Sequence, residues 1–466
     1  MRPARLLCIL LGSLVAACGG SGGGSSAGSG GGSVPSSCGA GAQKGFVLDV
    51  TREWYLFPET LPDQVSTAGF ADAQELLEFL TATARAQGRD RHFSYVTTRQ
   101  ADSSFLQEGQ FIGLGFRMRI EGSRVFFLEA YESSPASEAG IARGGELLAI
   151  DSGSGYVSVA SLLPNDPSLS NALGPAQEGV ARGLRFTRPG VAQPVEARLT
   201  KRVVTIQPVP ADGVTILTLP TNPSIRVGYL NLRSYISTAD APLRSAFSQF
   251  RAQGVQYFIV DQRYNGGGLI SVSDLIGDLF GRNRSTSEVY SRLRFRASKS
   301  SQDVTHLFQT QAESVAPVAI AFIGTAATAS ASELTINSMR PWVNAAALIG
   351  GNTYGKPVGQ SAFDLTGCDT RLRLVTFRAA NRDDQSDYYS GLAGTLPTCN
   401  AADDLSRAMS DPTEPSTAAA LYWLANGSCP AAGAAPAAQK TLPDLEVRYP
   451  VPDSPSPAQI HLPGLY

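Results

Sequence analysis

Residues 318–339 read VAIAFIGTAATASASELTINSM. VAIAFIG has the length and unbroken apolar character of a strand buried on both faces, ASELTINSM has helical periodicity, and the small residues of TAATAS join them. A strand passing directly into a helix is the repeating unit of an α/β fold. The pattern spreads outward from here. VGYLNL (227–232), YFIVDQR (257–263) and ALIGG (347–351) are further apolar runs of strand length, and PLRSAFSQFRAQG (242–254) and LISVSDLIGDLF (269–280) are helical stretches between them. This spacing predicts an α/β domain with a largely parallel sheet over residues 201–430.

A serine at a strand-to-helix junction stands at the sheet's edge, beside free N–H groups at the positive end of the helix. Ser330 and Ser332 both fall there, and Ala327, Ala329 and Ala331 leave room for a substrate backbone. The same letters also satisfy a capping box, Ser330 with Glu333, which needs no catalysis. A serine hydroxyl becomes an effective nucleophile only when a base takes its proton. The three histidines, His92, His306 and His461, lie in a helical lead-in, a polar stretch and the tail, so none stands at an expected strand end. A lysine can do the work where an apolar site disfavours its charge. Lys356, in GGNTYGKPVGQ (350–360) after the ALIGG strand and a turn containing Gly355, meets that description.

The chain has 466 residues, 43% of them hydrophobic, which is enough for more than one domain with large cores. A net charge of −2 and the lack of any basic run argue against a nucleic-acid partner. The N-terminus, MRPARLLCILLGSLVAACGG, has the arginines, short apolar stretch and small-residue end of an export signal over 1–17. Val15-Ala16-Ala17-Cys18 looks like a bacterial lipobox, which makes Cys18 the expected lipidation site and residues 18–37 a Gly/Ser-rich tether. The expectation is a lipid-anchored protein of the cell envelope facing the periplasm, with Gly19 leaning towards the outer membrane. Cys38, Cys368, Cys399 and Cys429 remain, and in an exported chain four cysteines suggest two disulfides. Of the three connectivities, Cys368–Cys399 with Cys38–Cys429 is favoured here. No CxxC pair or neighbouring histidine supports a metal site.

Residues 38–104 read as an N-terminal helical region, from FVLDVTREWYLF and DAQELLEFLTATARAQG, a candidate for assembly into a homodimer or for a lid. FIGLGFRMRI and RVFFLEAY then read as strands. Residues 105–200 resemble a PDZ domain, on Gly113-Leu114-Gly115-Phe116, Ser134-Pro135-Ala136, Ala139-Gly140-Ile141 and the run from Gly144 to Ile150. The resemblance implies that a substrate's C-terminal tail adds as an extra strand and places its carboxylate on the loop at 113–116, and that this engagement gates the active site. Residues 431–466 read as a peripheral Ala/Pro-rich tail.

Thr328-Ala329-Ser330-Ala331-Ser332-Glu333, with Thr353-Tyr354-Gly355-Lys356, Gln360 and the segment DQRYNGGG (261–268), resembles the S41 family of carboxy-terminal processing proteases over about residues 45–430. That resemblance implies a Clp protease/crotonase-like catalytic domain with an inserted or preceding PDZ-like β-rich domain. It implies Ser330 as nucleophile, with Ser332 the alternative, Lys356 as base, Gln360 orienting the base, and the N–H groups of Gly267 and Ala331 as the oxyanion hole. No metal or organic cofactor is called for. The rival class is a catalytically inactive PDZ adaptor.

Overall fold

The computed structural model describes residues 38–164, 166–431 and 447–466. The expected signal segment, Cys18, the tether and the Ala/Pro-rich run of the tail lie outside the described residues.

The lead-in forms α1 (Ala40–Trp54) and α2 (Ala73–Ala86), the latter capped by Asp72, which accepts the Glu75 N–H at 2.8 Å. Their apolar faces (Val47, Leu48, Leu76, Leu77, Leu80) do not form a separate cap; they bury Val358, Leu372, Leu374 and Val375 of a sheet made much later in the chain. Tyr95–Thr98, inside the stretch expected to be helical, is a strand of that same sheet, paired antiparallel with residues 370–373. Partnership with a distant strand outweighs local helical pattern there.

A second body follows as β1 (Phe116–Glu121), β2 (Arg124–Ala130), β3 (Glu146–Asp151), β4 (Ala181–Arg188) and β5 (Val191–Thr200), consecutive neighbours in one antiparallel sheet. Phe116, Phe127 and Phe186 meet edge to face in its core.

The α/β body runs β6 (Val214–Leu219), β7 (Asn222–Asn231), α3 (Asp240–Ala252), β8 (Tyr257–Asp261), α4 (Ile270–Phe280), β9 (Ala319–Gly324), α5 (Ala331–Met339) and β10 (Ala345–Gly350). It continues as β11 (Val358–Asp364), β12 (Thr370–Asn381), β13 (Thr398–Asn400) and α6 (Pro415–Asn426). The central sheet has the order β6-β7-β8-β9-β10-β13, parallel from β7 onward with β6 antiparallel at one edge. Alternate residues serve opposite cores, as the pleat requires. Phe258, Val260, Ile320, Phe322 and Leu348 pack with α3 and α4, whereas Ile259, Ala321, Ile323, Ala347 and Ile349 pack with α6. Burial on both faces explains why these strands read as continuous apolar runs. β8, β9 and β10 all deliver their C-terminal ends to one edge, where ligands of open α/β sheets bind.

The disulfides are Cys38–Cys368 and Cys399–Cys429, which corrects the favoured pairing. α1 lies on the β11–β12 hairpin whose turn carries Cys368, and α6 packs beside the edge strand β13, so its end brings Cys429 to Cys399. The described part of the tail also departs from expectation. Residues 447–466 are not peripheral: α7 (Pro457–His461) is followed by Leu462, Leu465 and Tyr466, each at most 3% exposed.

Candidate active site

The turn between β9 and α5 holds Ser330 at φ 58°, ψ −117°, a backbone region that a residue with a side chain occupies only under constraint. Two contacts supply it. The Ala329 N–H donates to the Asn265 carbonyl at 3.0 Å, and the Ser330 N–H donates to the Glu333 carboxylate at 3.0 Å. The result is a sharp strand-to-helix elbow with Ser330 buried except for a small face. Ser332, the alternative, is fully buried on the first turn of α5, its Oγ donating to the Asn265 carbonyl at 3.0 Å.

Glu333 does more than cap. Its other contacts are the N–H of Lys356 on Oε2 and of Gly355 on Oε1, both at 2.7 Å, so one buried carboxylate joins the Ser330 turn to the Lys356 turn. Burial raises its pKa, opposed by a hydrogen bond with the Thr353 side chain and by these backbone N–H groups. The Tyr354 N–H adds a bond to the Thr328 carbonyl at 2.9 Å. Gly355 is at φ 86°, where a Cβ would fall 2.2 Å from the Tyr389 carbonyl, so only glycine lets the lysine turn close.

Lys356 is 6% exposed, with Nζ 4.9 Å from the centre of the Phe93 ring and no carboxylate paired to it among the described residues. Burial pushes its pKa down to about 8, against the charges of Asp90 and Glu333, which favour the ammonium. Asp90, absent from the sequence reading, sits behind the site, where it accepts the Phe93 N–H (2.8 Å), the Tyr55 hydroxyl (2.9 Å) and the Ser94 hydroxyl (2.7 Å).

Gln360, expected to orient the lysine, donates its side-chain amide to the Phe93 carbonyl at 2.8 Å. It thus bonds to the residue whose ring lies beside Lys356 Nζ. Gly267 lies against the elbow so closely that a Cβ would be 2.8 Å from both Ala331 N and Ser330 Cβ. Its N–H, expected in the oxyanion hole, donates to Asn265 Oδ1 at 2.9 Å. Ala331 opens α5, a position whose N–H has no acceptor within the helix.

Ser330, Gln360 and Gly268 line one cavity of about 260 Å³, together with Arg373, Phe377 and His461. His461 comes from the tail, stacks on Phe105 and is buried; burial first, then the charges of Lys356 and Arg373, push its pKa down to about 3. His92 and His306 face Glu78 and Asp278 instead. Among the described residues no group of three or more histidine, cysteine or acidic side chains is arranged to hold a metal.

The model of Peptidase family S41 matches residues 226–397, and that of the Peptidase S41 N-terminal domain matches residues 42–95. The chain is 27% identical over 260 residues to a carboxyl-terminal-processing protease of Synechocystis sp., covering 55% of this chain and 56% of that one. It is 24% identical over 302 residues to a carboxy-terminal-processing protease of Bartonella bacilliformis, covering 62% and 61%. The matches thus span little more than half the length of these relatives. A crystal structure of a protein assigned to the S41 proteases, from Bacteroides fragilis, superimposes with a TM-score of 0.65 at 21% identity, over 82% of this chain and 97% of that one. At that identity the likeness speaks to the fold.

Proposed function

We propose that the chain, whose residues 226–397 match the model of Peptidase family S41, is a serine endopeptidase of the cell envelope, acting through Ser330 and Lys356 on proteins presented by their C-terminal tails. The observation that carries this reading is the Glu333 clamp. One carboxylate holds a serine on a strained elbow and a buried lysine of lowered pKa in fixed relation to each other.

Neutral Lys356 takes the proton as Ser330 Oγ attacks the scissile carbonyl. The Ala331 N–H receives the oxyanion, and Gly267 joins it once its N–H turns from Asn265. A preorganised donor of this kind is worth about 3 kcal/mol of barrier. Collapse of the tetrahedral intermediate returns the proton to the leaving amine and leaves an acyl-enzyme. Lys356 then activates the water that hydrolyses it. Gln360 and Asp90 hold Phe93 and so set the lysine's surroundings. No cofactor enters these steps.

The envelope assignment is supported by the leader, by Cys18 with its tether, and by the two disulfides, which suit an oxidising compartment. The β1–β5 body is assigned the PDZ role, with the loop at Gly113, Leu114, Gly115 and Phe116 receiving a peptide end.

The test is cleavage of an unstructured reporter by protein beginning at Cys38. Ser330→Ala and Lys356→Ala should each abolish cleavage while remaining folded, and Ser332→Ala should retain a measurable fraction. Complete loss in Ser332→Ala with retention in Ser330→Ala would reassign the nucleophile. Failure of every folded form to cleave, including the tail-released variants below, would favour the adaptor.

A further inference from the structure

Two N–H groups of the loop assigned to a peptide end are already engaged. Gly115 and Phe116 donate to the main-chain oxygen of Tyr466 at 2.7 and 3.2 Å, and the Tyr466 N–H returns a bond to the Phe116 carbonyl at 3.0 Å. Antiparallel contact continues along β1: Met118 N–H donates to Gly464 O at 2.9 Å, Arg117 bridges to Leu465, and its guanidinium donates to Pro463 O at 3.1 Å. These residues lie beside β1 as a ligand peptide would, by strand addition.

The side chains occupy specific places. The Tyr466 ring enters the core of the β1–β5 body and its hydroxyl bonds to Ser170 Oγ. Leu462 and Leu465 fill a second apolar site with Phe105, Phe111, Tyr131 and Ile236. Gly464 is at φ 81°, where a Cβ would stand 2.1 Å from Met118 O, so the segment docks this closely only with glycine there.

The same segment reaches the catalytic side. A Cβ on Gly266 would lie 2.0 Å from His461 O, so the tail backbone rests directly on the glycine run beside Ser330. The His461 side chain forms part of the wall of the Ser330 cavity.

We propose that residues 457–466, PAQIHLPGLY, are an internal ligand that fills the protein's own peptide-binding groove and narrows the Ser330 cavity, and that the polypeptides this protein accepts end in a similar apolar-aromatic sequence able to displace it. This rests on the peptidase reading for its effect on cleavage, but not for its effect on binding. A tethered ligand competes at an effective concentration on the order of millimolar, so it excludes weak peptides and yields to well-matched ones. It holds the enzyme at rest until a suitable tail arrives.

The test uses the protein from Cys38 onward with Gly464→Val, which places a branched side chain against the β1 backbone, and separately Tyr466→Ser, which removes the ring from its core. In a Ser330→Ala background, binding of the labelled decapeptide PAQIHLPGLY is read by fluorescence anisotropy. The released variants should bind it about tenfold or more tightly than the parent, because the internal competitor is gone. With Ser330 intact, both variants should cleave an unstructured reporter several-fold faster than the parent. Equal decapeptide affinity in parent and variants overturns the proposal. So does unfolding of both variants, since a displaceable ligand cannot be a required part of the core. Tight decapeptide binding by released variants that cleave nothing would sustain the groove assignment and sink the peptidase reading. Serine-dependent cleavage that is identical in all forms would do the reverse.

Discussion

In the proposed mechanism Lys356 has to be neutral when Ser330 attacks, and its surroundings determine the pH at which that occurs. With its pKa pushed down to about 8, the reactive fraction grows with pH, so kcat/KM should rise along a limb centred near pH 8. Lys356→Arg should remove the limb with the activity, because a guanidinium stays charged. Glu333→Gln keeps the size of the clamp but turns one acceptor into a donor facing backbone N–H groups. It should cost about 1–3 kcal/mol of stability by chemical denaturation and lower kcat more than it raises KM. The placement of Ser330 on an elbow and of Lys356 after a glycine turn was legible from the letters because each is a short local pattern. Two of the family-implied roles were not legible. Where Gln360 and the Gly267 N–H point depends on the Phe93 carbonyl and the Asn265 amide, and nothing in the local pattern states a side chain's rotamer.

Among the elements, β8, β9, α5 and β10 were readable because strands buried on both faces must be apolar throughout. What pairs with them was less so. The strand at Tyr95–Thr98 takes its partner about 270 residues downstream, and the disulfides follow helix-on-sheet packing that chain order does not reveal. Just past β8, Arg263 is fully buried against Asp261, Asp403 and Glu414 at 2.9–3.0 Å, an ion network that stiffens the turn into Asn265 and Gly267. Arg263→Ala should destabilise by about 3–5 kcal/mol, since it strands buried carboxylates. Lys356 has the opposite effect on stability. Below pH 8 folded and unfolded chains both hold its proton, and the fold bears the whole burial penalty. Between about 8 and the ordinary 10.5 only the unfolded chain binds it, so stability rises with pH, and above 10.5 the penalty is gone. Lys356→Met should therefore yield an inactive protein more stable by about 3 kcal/mol at pH 7, measured by urea unfolding, with the gain vanishing at alkaline pH.

Across the whole molecule, the lead-in, the α/β body and the tail meet around one small cavity, and the end of the tail lies along the β1–β5 body. Composition marked the tail as peripheral because its alanines and prolines dominate the count, while the four residues that dock it, Leu462, Gly464, Leu465 and Tyr466, are few. Cys38–Cys368 closes a separation of 330 residues, and neither cysteine lines the Ser330 cavity. Cys38→Ser with Cys368→Ser should lower the melting temperature, the entropic loss being up to about 5 kcal/mol, while the pH limb of the rate stays in place.

Covalent labelling with a small sulfonyl fluoride, its rate followed against pH and its position mapped by peptide mass, tests the Ser330–Lys356 pair most directly. The adduct should form on Ser330, at a rate that rises through pH 8 and slows about a hundredfold or more in Lys356→Ala. An adduct on Ser332, or a rate on Ser330 indifferent to Lys356, would contradict that pairing.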